Sequence, residues 1–380
     1  MRILEIMPNL FRRLTTGIFS IVMLAIMVVG CSDRDTSKTS LAPLENAELG
    51  TLTVLGWADY FPEGLFEQFT DVTGIEVNYV EYETADELKS IVESAPESFD
   101  VLLTDDVSTR GLLAIGLFKE LETDLLPNIA NLDKGSLDQS WDPGNRYTVP
   151  FLWGTTLIAY NKALIQNPKQ SWSLLWDQET LKGRPVYMID EVSDILGIAS
   201  ISLGYLPSDA SREGLTSAVA KLEALSHWDN VKFASYPRIR EALIWGECAV
   251  GVIYSTDAKL ASEENGEIAY FVPEEGAPRW MDNFLISKKC DNSAIAHAFL
   301  NYLLSAEIGA QCAEYCGGGS PNRAALALLD GDSLNDSVGL TQVELENRLE
   351  FLVDRPLPES LSNRMATVMR ESYLNRPLRR

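Results

Sequence analysis

Apolar and polar residues recur with two different periods after about residue 50. Residues 52–57 and 99–103 are apolar runs typical of buried strands, and residues 75–80 alternate as a half-exposed strand does. Residues 62–74 carry apolar side chains at helical spacing, and the capping sequence at residues 84–87 begins a second helix. The apolar positions of the first helix are Leu65, Phe66, Phe69 and Val72. The pattern predicts a βαβαβ unit with a mostly parallel sheet.

A second series of the same kind begins near residue 155. Its strand candidates are residues 155–160, 185–189, 249–254 and 267–272. A helix after Ser208-Asp209 places four apolar residues on one face, and the chain is largely helical in pattern from about residue 294. We therefore expect an α/β fold of two lobes, with mixed, mostly parallel sheets flanked by helices. In such sheets ligands bind at the carboxyl ends of the strands.

The amino-terminal segment has the layout of a signal peptide. Three arginines precede a short apolar run from Ile18 to Val29, which is followed by Gly30 and Cys31. A membrane span would need about 20 apolar residues. Cys31 follows at the expected cleavage point, and its surroundings resemble a bacterial lipobox. We expect a lipoprotein signal peptide at 1–30, lipid on Cys31 and a flexible leash at 31–49. The alternative is an ordinary signal peptide with a cysteine there by chance.

Composition narrows the class of partner. The 380-residue chain carries a formal charge of −24, and its 46% hydrophobic content is enough for a large core. Residues 1–30 hold three Arg and one Glu, a net +2, so the chain without them carries −26. Such a charge repels phosphate backbones and concentrates cations nearby. Nucleic acid is therefore not an expected partner.

The remaining cysteines are Cys248, Cys290, Cys312 and Cys316. Their even number is compatible with an oxidising compartment, and no pairing can be deduced from their positions. Cys312 and Cys316 would lie one turn apart on a helix, so a strained local disulfide is an alternative to simple burial, which we favour. Their spacing does not indicate a metal site. No metal and no cofactor is predicted.

Catalytic motifs are absent from the sequence. His227 and His297 are the only histidines, and no Gly-Xaa-Ser-Xaa-Gly, P-loop or His-Xaa-Xaa-Glu-His occurs. Paired carboxylates could in principle hydrolyse glycosides, but 55 acidic residues make a chance pair nearly certain. We therefore expect a binding protein and no enzyme.

Aromatic residues stand beside acids at several predicted strand ends. The aromatic and acidic clusters are Gly56-Trp57-Ala58-Asp59-Tyr60, Trp280-Met281-Asp282, Asp190-Glu191 with Asp194, and Tyr254 near Asp257. An ammonium over an aromatic face gains about 0.5 to 2 kcal/mol, and carboxylates supply charge-assisted hydrogen bonds. Each cluster alone is also compatible with a core aromatic beside a solvated acid. Four of them at strand ends favour a site for an organic cation.

Several ordered motifs between about residues 50 and 325 carry a family resemblance. They are Gly56-Trp57-Ala58-Asp59-Tyr60, Phe66-Glu67-Gln68-Phe69, Thr73-Gly74-Ile75, Phe99-Asp100-Val101, Val149-Pro150-Phe151-Leu152-Trp153-Gly154, Ser171-Trp172-Ser173-Leu174-Leu175-Trp176, Trp280-Met281-Asp282 and Ser320-Pro321-Asn322. In these the chain resembles the spermidine/putrescine-binding proteins of bacterial polyamine importers, a branch of the type II periplasmic solute-binding proteins. The resemblance implies a ligand cleft between two lobes.

The resemblance also implies roles for particular residues. Trp57, Tyr60, Tyr254 and Trp280 would line the cleft, and Glu191, Asp194 and Asp282 would grip amines. The ligand-binding residues that we predict are Trp57, Tyr60, Asp105, Glu191, Asp194, Tyr254, Asp257, Trp280 and Asp282.

The chain also departs from that family. The turn Thr104-Asp105-Asp106-Val107 stands where relatives present hydroxyl and tyrosine side chains, and Gly318 stands where an aromatic often lies. These departures indicate a wider, more acidic cleft, suited to a longer polyamine or a bulkier amine or guanidinium compound.

We expect residues 50–154 and 278–330 to form the first lobe, and residues 155–277 and 331–380 the second. Closure of a hinge between them around a small cation would present the protein to the permease subunits of an ABC importer, with the lipid on Cys31 as the membrane contact. Two alternatives keep the same fold: a sensor subunit that reports polyamines to a membrane signalling partner, and a carbohydrate-binding protein.

Overall fold

A computed structural model describes residues 50–58, 60–206, 211–329, 348–352 and 357–372. The predicted signal peptide at 1–30, the lipid attachment at Cys31, the leash at 31–49 and much of the 331–380 segment lie outside the described residues.

The described strands form one mixed sheet. They are β1 (Thr51–Trp57), β2 (Glu76–Tyr82), β3 (Val101–Thr104), β4 (Val149–Asn161), β5 (Val186–Ile189), β6 (Val231–Ala234), β7 (Val250–Tyr254), β8 (Ile268–Phe271), β9 (Ala277–Ile286) and β10 (Leu349–Phe351). The order across the sheet is β2-β1-β3-β9-β4-β7-β5-β6, with β10 beside β9 and β8 beside β4.

Helices connect and cover these strands. They are α1 (Leu65–Thr73), α2 (Ala85–Ser94), α3 (Asp106–Ala114), α4 (Gln178–Leu181), α5 (Val192–Ile201), α6 (Arg212–Ser226), α7 (Tyr236–Ile244), α8 (Ser255–Glu264), α9 (Ser293–Leu303), α10 (Ala306–Cys316), α11 (Arg323–Leu326) and α12 (Glu359–Ser372), with 3₁₀ turns at Thr123–Leu125, Pro127–Asn131 and Trp172–Trp176. No described helix is both long enough and apolar enough to cross a membrane.

The predicted βαβαβ unit is confirmed in the first lobe, where β1 pairs in parallel with both β2 and β3. Leu65 and Phe69 of α1 are fully buried against this sheet. Val72 was expected on the same face but is 63% exposed; it lies in the last turn of α1, which ends at Gly74, whose φ of 76° is left-handed.

The second lobe repeats this architecture, since β5 pairs in parallel with β6 and β7. Ser211 caps the amino terminus of α6, where its side chain accepts a hydrogen bond from the Gly214 N–H. The helix buries its predicted apolar face in the second core. A cap that bonds the first free N–H groups fixes where a helix starts.

Strands β4 and β9 run through both lobes. The sequence predicted only residues 155–160 as a strand here, but β4 extends over 13 residues. Its first part pairs with β9, with an irregularity between Pro150 and Trp153, and its second part pairs with β7 and β8. These two antiparallel strands join the parallel units, so the predicted mixed α/β fold flanked by helices is confirmed.

The carboxyl-terminal segment packs on the second lobe. Strand β10 pairs in parallel with β9, and Leu361, Met365 and Val368 of α12 are buried in the second core. The helical pattern predicted from residue 294 therefore misses β10. A three-residue strand is too short to show its own periodicity, and pairing with β9 defines it.

All four described cysteines are free. Cys248, Cys290 and Cys312 are buried and Cys316 is partly buried, so the favoured interpretation of simple burial is confirmed. The local disulfide between Cys312 and Cys316 does not form. Burial raises the pKa of the Cys312 thiol to about 12, which keeps it protonated.

Candidate ligand-binding site

Strand ends position most of the predicted site residues. Trp57 is the last residue of β1, Asp105 directly follows β3, and Tyr254 is the last residue of β7. Glu191 stands two residues after β5 and precedes the first turn of α5, which carries Asp194. Because β1, β2 and β3 are parallel to one another, and so are β5, β6 and β7, the carboxyl ends of the strands in each of these units meet at one edge.

Trp280 and Asp282 reach the site differently from the expectation. They lie within β9 rather than at a strand end. Gly154 pairs with Trp280 from β4, and a Cβ atom at Gly154 would stand 2.1 Å from Cζ2 of the indole. The indole therefore lies against the glycine backbone, which any larger residue would prevent.

Asp282 is a buried acid that is hydrogen-bonded to an aromatic residue of the site. Its side chain is 4% exposed, and its Oδ2 accepts a hydrogen bond of 2.6 Å from the Tyr60 hydroxyl. Burial raises the pKa of Asp282 to about 7, against the lowering effect of hydrogen bonds from Tyr60 and Trp57, and the charge of Asp105 raises it further. The site thus brings Trp57, Tyr60, Asp105 and Asp282 together.

A tyrosine pair that the sequence analysis missed supports Trp57. The ring of Tyr82 lies 4.4 Å from the indole, and the Tyr79 hydroxyl donates a 2.7 Å hydrogen bond to the Trp57 carbonyl. The Tyr82 hydroxyl in turn donates to the Leu103 carbonyl at the end of β3. The alternating pattern of residues 75–80 indicated the orientation of Tyr79, but it could not show that Tyr82 touches a residue 25 positions away.

Asp194 forms a second, similar centre on α5. It is 6% exposed and accepts a hydrogen bond from the Thr156 hydroxyl of β4. Burial raises the pKa of Asp194 to about 6; the Thr156 hydrogen bond lowers it, and the charge of Asp105 raises it. Asp105 therefore lies close enough to interact with an acid of each lobe. Thr156 was not predicted, because a threonine in a strand carries no signal of its own.

Aromatic rings connect the two centres. The Tyr254 ring lies 5.8 Å from the Trp280 ring in an edge-on arrangement, and 5.6 Å from Tyr236. Burial raises the pKa of Tyr254 well above its usual value, and the negative charges of Asp194 and Glu191 raise it further. The predicted grouping of Tyr254 and Trp280 with these acids is thus present, and Tyr236 joins it.

Two of the acids that we predicted to bind ligand have other partners within the protein. Asp257, which we predicted to bind ligand, is 5% exposed and forms a 2.8 Å ion pair with Arg240. Asp105 caps α3: its carboxylate accepts hydrogen bonds from the Ser108 N–H at 2.8 Å and the Ser108 hydroxyl at 2.7 Å. Asp257 is charge-balanced within the protein, whereas the partners of Asp105 are neutral.

The chemistry of this arrangement is that of holding a cation. In the described part of the chain, Asp194 and Asp282 take part in no ion pair, and no cluster of three or more potential ligands suits a metal. Both carboxylates are buried next to aromatic rings, where an ammonium group would supply the missing charge. Two lobes that each contribute a buried carboxylate and aromatic rings of this kind are characteristic of a solute-binding protein.

The chain belongs to the family of bacterial extracellular solute-binding proteins, whose profile matches residues 64–340. It is 30% identical to the spermidine/putrescine-binding periplasmic protein of Escherichia coli K12 over 289 residues. The aligned region covers 75% of this chain and 82% of that protein. It is 28% identical to the putrescine/cadaverine-binding protein of Pseudomonas aeruginosa over 316 residues. The aligned region covers 80% of this chain and 88% of that protein.

Solved structures agree. The spermidine/putrescine ABC transporter substrate-binding protein PotD of Streptococcus pneumoniae superposes with a TM-score of 0.74 at 28% identity, covering 85% of this chain and 98% of that one. A putative spermidine/putrescine ABC transporter protein of Listeria monocytogenes also gives 0.74, at 31% identity, with coverage of 84% and 98%. The predicted family and two-lobed fold are confirmed, and these relatives are named for binding or transport.

Proposed function

We propose that this protein captures a polyamine or a closely related organic cation outside the cytoplasm and presents it to the permease subunits of an ABC importer. The observation that carries the proposal is the Asp282 centre. A carboxylate that is 4% exposed, bonded to a tyrosine hydroxyl and an indole but to no cation among the described residues, leaves an uncompensated charge in the site. The named ligands of the relatives support a polyamine as the balancing cation.

Each centre would hold one end of the ligand. Asp282 would bind one ammonium group, with Trp57 and Tyr60 beside it. Asp194, with Glu191 at the rim, would bind another, and Trp280 and Tyr254 would cover the methylene chain between them. Asp105 interacts electrostatically with both Asp194 and Asp282, so it adds negative charge near the middle of the ligand. This extra acid favours a ligand with an internal ammonium group over a simple diamine.

Hinge closure would complete the site. We propose that residues 50–154 and 278–330 form one lobe and residues 155–277 and 331–380 the other, with β4 and β9 as the crossing strands. The separate apolar cores on the two sides of these strands support this division. A ligand bound between Asp282 and Asp194 touches both lobes only in the closed form. It therefore favours that form by the free energy of the added contacts.

Calorimetry tests the ligand class. Spermidine, putrescine and agmatine should be titrated against the protein beside a set of neutral sugars at pH 8. We expect binding of spermidine and weaker binding of putrescine, because the site offers more than two carboxylates. Tight sugar binding without amine binding would overturn the proposal.

The mode of membrane attachment is a separate proposal. We propose that lipid on Cys31 tethers the protein after cleavage of residues 1–30. Cys31→Ser should move the protein from the membrane fraction to the soluble fraction, whereas the control Cys316→Ser should leave it at the membrane. A Cys31→Ser protein that stays at the membrane would contradict lipid attachment at this residue.

A further inference from the structure

The backbone between Trp280 and Asp282 has an unusual partner. Pairing of β9 with β3 runs from Ile286 to Asn283 and ends there. Two residues further along β9, the Met281 N–H donates a 3.1 Å hydrogen bond to Oδ1 of Asp106, a side chain of α3. The Asp106 carboxylate thus accepts a backbone hydrogen bond from β9 at a point where β9 no longer pairs with β3. Met281 separates Trp280 and Asp282, the two β9 residues that we propose to bind the ligand.

Asp106 is itself held by an arginine. It is 1% exposed, and its Oδ2 lies 2.6 Å from Nη2 of Arg110, one helical turn along α3. The Arg110 guanidinium also donates to the carbonyl of Leu352 after β10 and lies 4.2 Å from the centre of the Trp141 ring. Contacts with three separate segments leave the arginine little freedom to move.

The charge of Arg110 affects both the protonation of Asp106 and the hydrogen bond that Asp106 accepts. Burial raises the pKa of Asp106, and the charge of Arg110 at 2.6 Å lowers it and so favours the ionised carboxylate. An ionised carboxylate accepts a shorter and stronger hydrogen bond than a neutral acid does. Arg110 also balances the charge of Asp106, so this acid does not compete with Asp282 for a cationic ligand. Asp106 can therefore hold the backbone without binding the ligand itself.

We propose that Asp106 and Arg110 are positioning residues of the ligand site: they fix the Met281 backbone, and with it the directions of Trp280 and Asp282, without touching the ligand. The predicted effect of these residues on ligand affinity rests on the proposed function. Their effect on the position of the Met281 backbone is independent of that function, because it concerns the ligand-free protein.

Two double variants with unchanged net charge separate the acceptor from the charge. Asp106→Ala with Arg110→Met removes the acceptor for Met281, and we expect the dissociation constant for spermidine to rise at least about tenfold. Asp106→Asn with Arg110→Gln keeps an amide oxygen that can accept the same N–H, and affinity should stay within about threefold of the parent. Calorimetry at pH 8 measures both.

A control uses an ion pair outside the proposed site. Glu223 of α6 and Arg364 of α12 form two hydrogen bonds of 2.6 Å. Glu223→Ala with Arg364→Met should leave spermidine affinity unchanged. Parental affinity in the Asp106→Ala, Arg110→Met protein would overturn the proposal. So would equal losses in both Asp106–Arg110 double variants, or an equal loss in the control.

Hydrogen exchange tests the same contact without a variant. In the ligand-free parent protein, the Met281 amide should exchange at least about 100-fold more slowly than in an unstructured peptide. Exchange at the unstructured rate would overturn the proposal even if the first double variant fails to fold. If the parent binds no amine while this amide is protected, the proposed function fails and the positioning contact stands.

Discussion

Four buried aspartates near the site divide into two kinds. Asp106 and Asp257 each face an arginine, at 2.6 and 2.8 Å respectively. Asp194 and Asp282 instead accept hydrogen bonds from neutral donors, the hydroxyls of Thr156 and Tyr60. All four are at most 6% exposed, so burial alone does not separate them.

The difference in partners indicates different functions. A buried carboxylate with an arginine is already neutralised, and a second cation would gain little from it. A buried carboxylate that accepts hydrogen bonds from neutral donors is stabilised as an anion but lacks a counter-ion. Burial raises the pKa of Asp282 to about 7, so near neutral pH protonation of this carboxylate competes with the binding of a cation. The hydroxyl-bonded pair is therefore the one that we assign to the ligand.

Removing the charge of Asp282 should have the largest effect. Asp282→Asn keeps the shape and an acceptor for Tyr60 but cannot form a charge-assisted bond to an ammonium group. Losing such a bond costs roughly 1.5 to 3 kcal/mol, so spermidine should bind at least about tenfold more weakly at pH 8 by calorimetry. Thermal unfolding serves as the control for folding. Unchanged affinity would exclude Asp282 from the ligand site.

Affinity should also depend on pH. An ammonium ligand favours the ionised form of Asp282, whose pKa of about 7 makes protonation compete below neutrality. Spermidine affinity should fall about tenfold from pH 8 to pH 6, mostly through Asp282, with a smaller part through Asp194. Binding should release protons, which calorimetry in buffers of different ionisation enthalpy detects. Asp282→Asn should remove most of this slope, and a slope that persists there would assign it to another group.

The same shifts predict the opposite trend for ligand-free stability. The folded pKa values of about 7 for Asp282 and about 6 for Asp194 lie above the ordinary value of the unfolded chain. Between about pH 4 and pH 7 the folded state therefore binds more protons, and its stability decreases as pH rises. The ligand-free protein should melt at a higher temperature at pH 6 than at pH 8. Asp282→Asn should reduce this difference without abolishing it, because burial also raises the pKa of Asp106.

The smallest effect is expected at Asp257. Asp257→Asn removes an acid that is already paired with Arg240, so spermidine affinity should change by less than about threefold. The melting temperature should fall, because Arg240 loses its partner. A loss of affinity as large as that of Asp282→Asn would show that arginine pairing does not separate the two kinds of aspartate, and would support the original sequence prediction for Asp257.

Local patterns in the sequence predicted much of this site. Strand and helix periods depend on neighbouring residues, so they placed Trp57, Asp105 and Tyr254 at or just after the ends of strands. The same patterns missed the long β4, whose buried first part has no polar alternation, and β10, which exists only through its pairing with β9.

By itself, the sequence determined the α/β class, the family and the acidic and aromatic character of the site, because periodicity, motifs and composition are properties of short segments. Only the tertiary structure decided which acids keep an uncompensated charge. Arg240 reaches Asp257 across 17 residues, and Arg110 is held by Leu352 from 242 residues away. Such contacts follow from how strands cross between lobes, and burial then sets the pKa values. Neither can be worked out from the residues next in the chain.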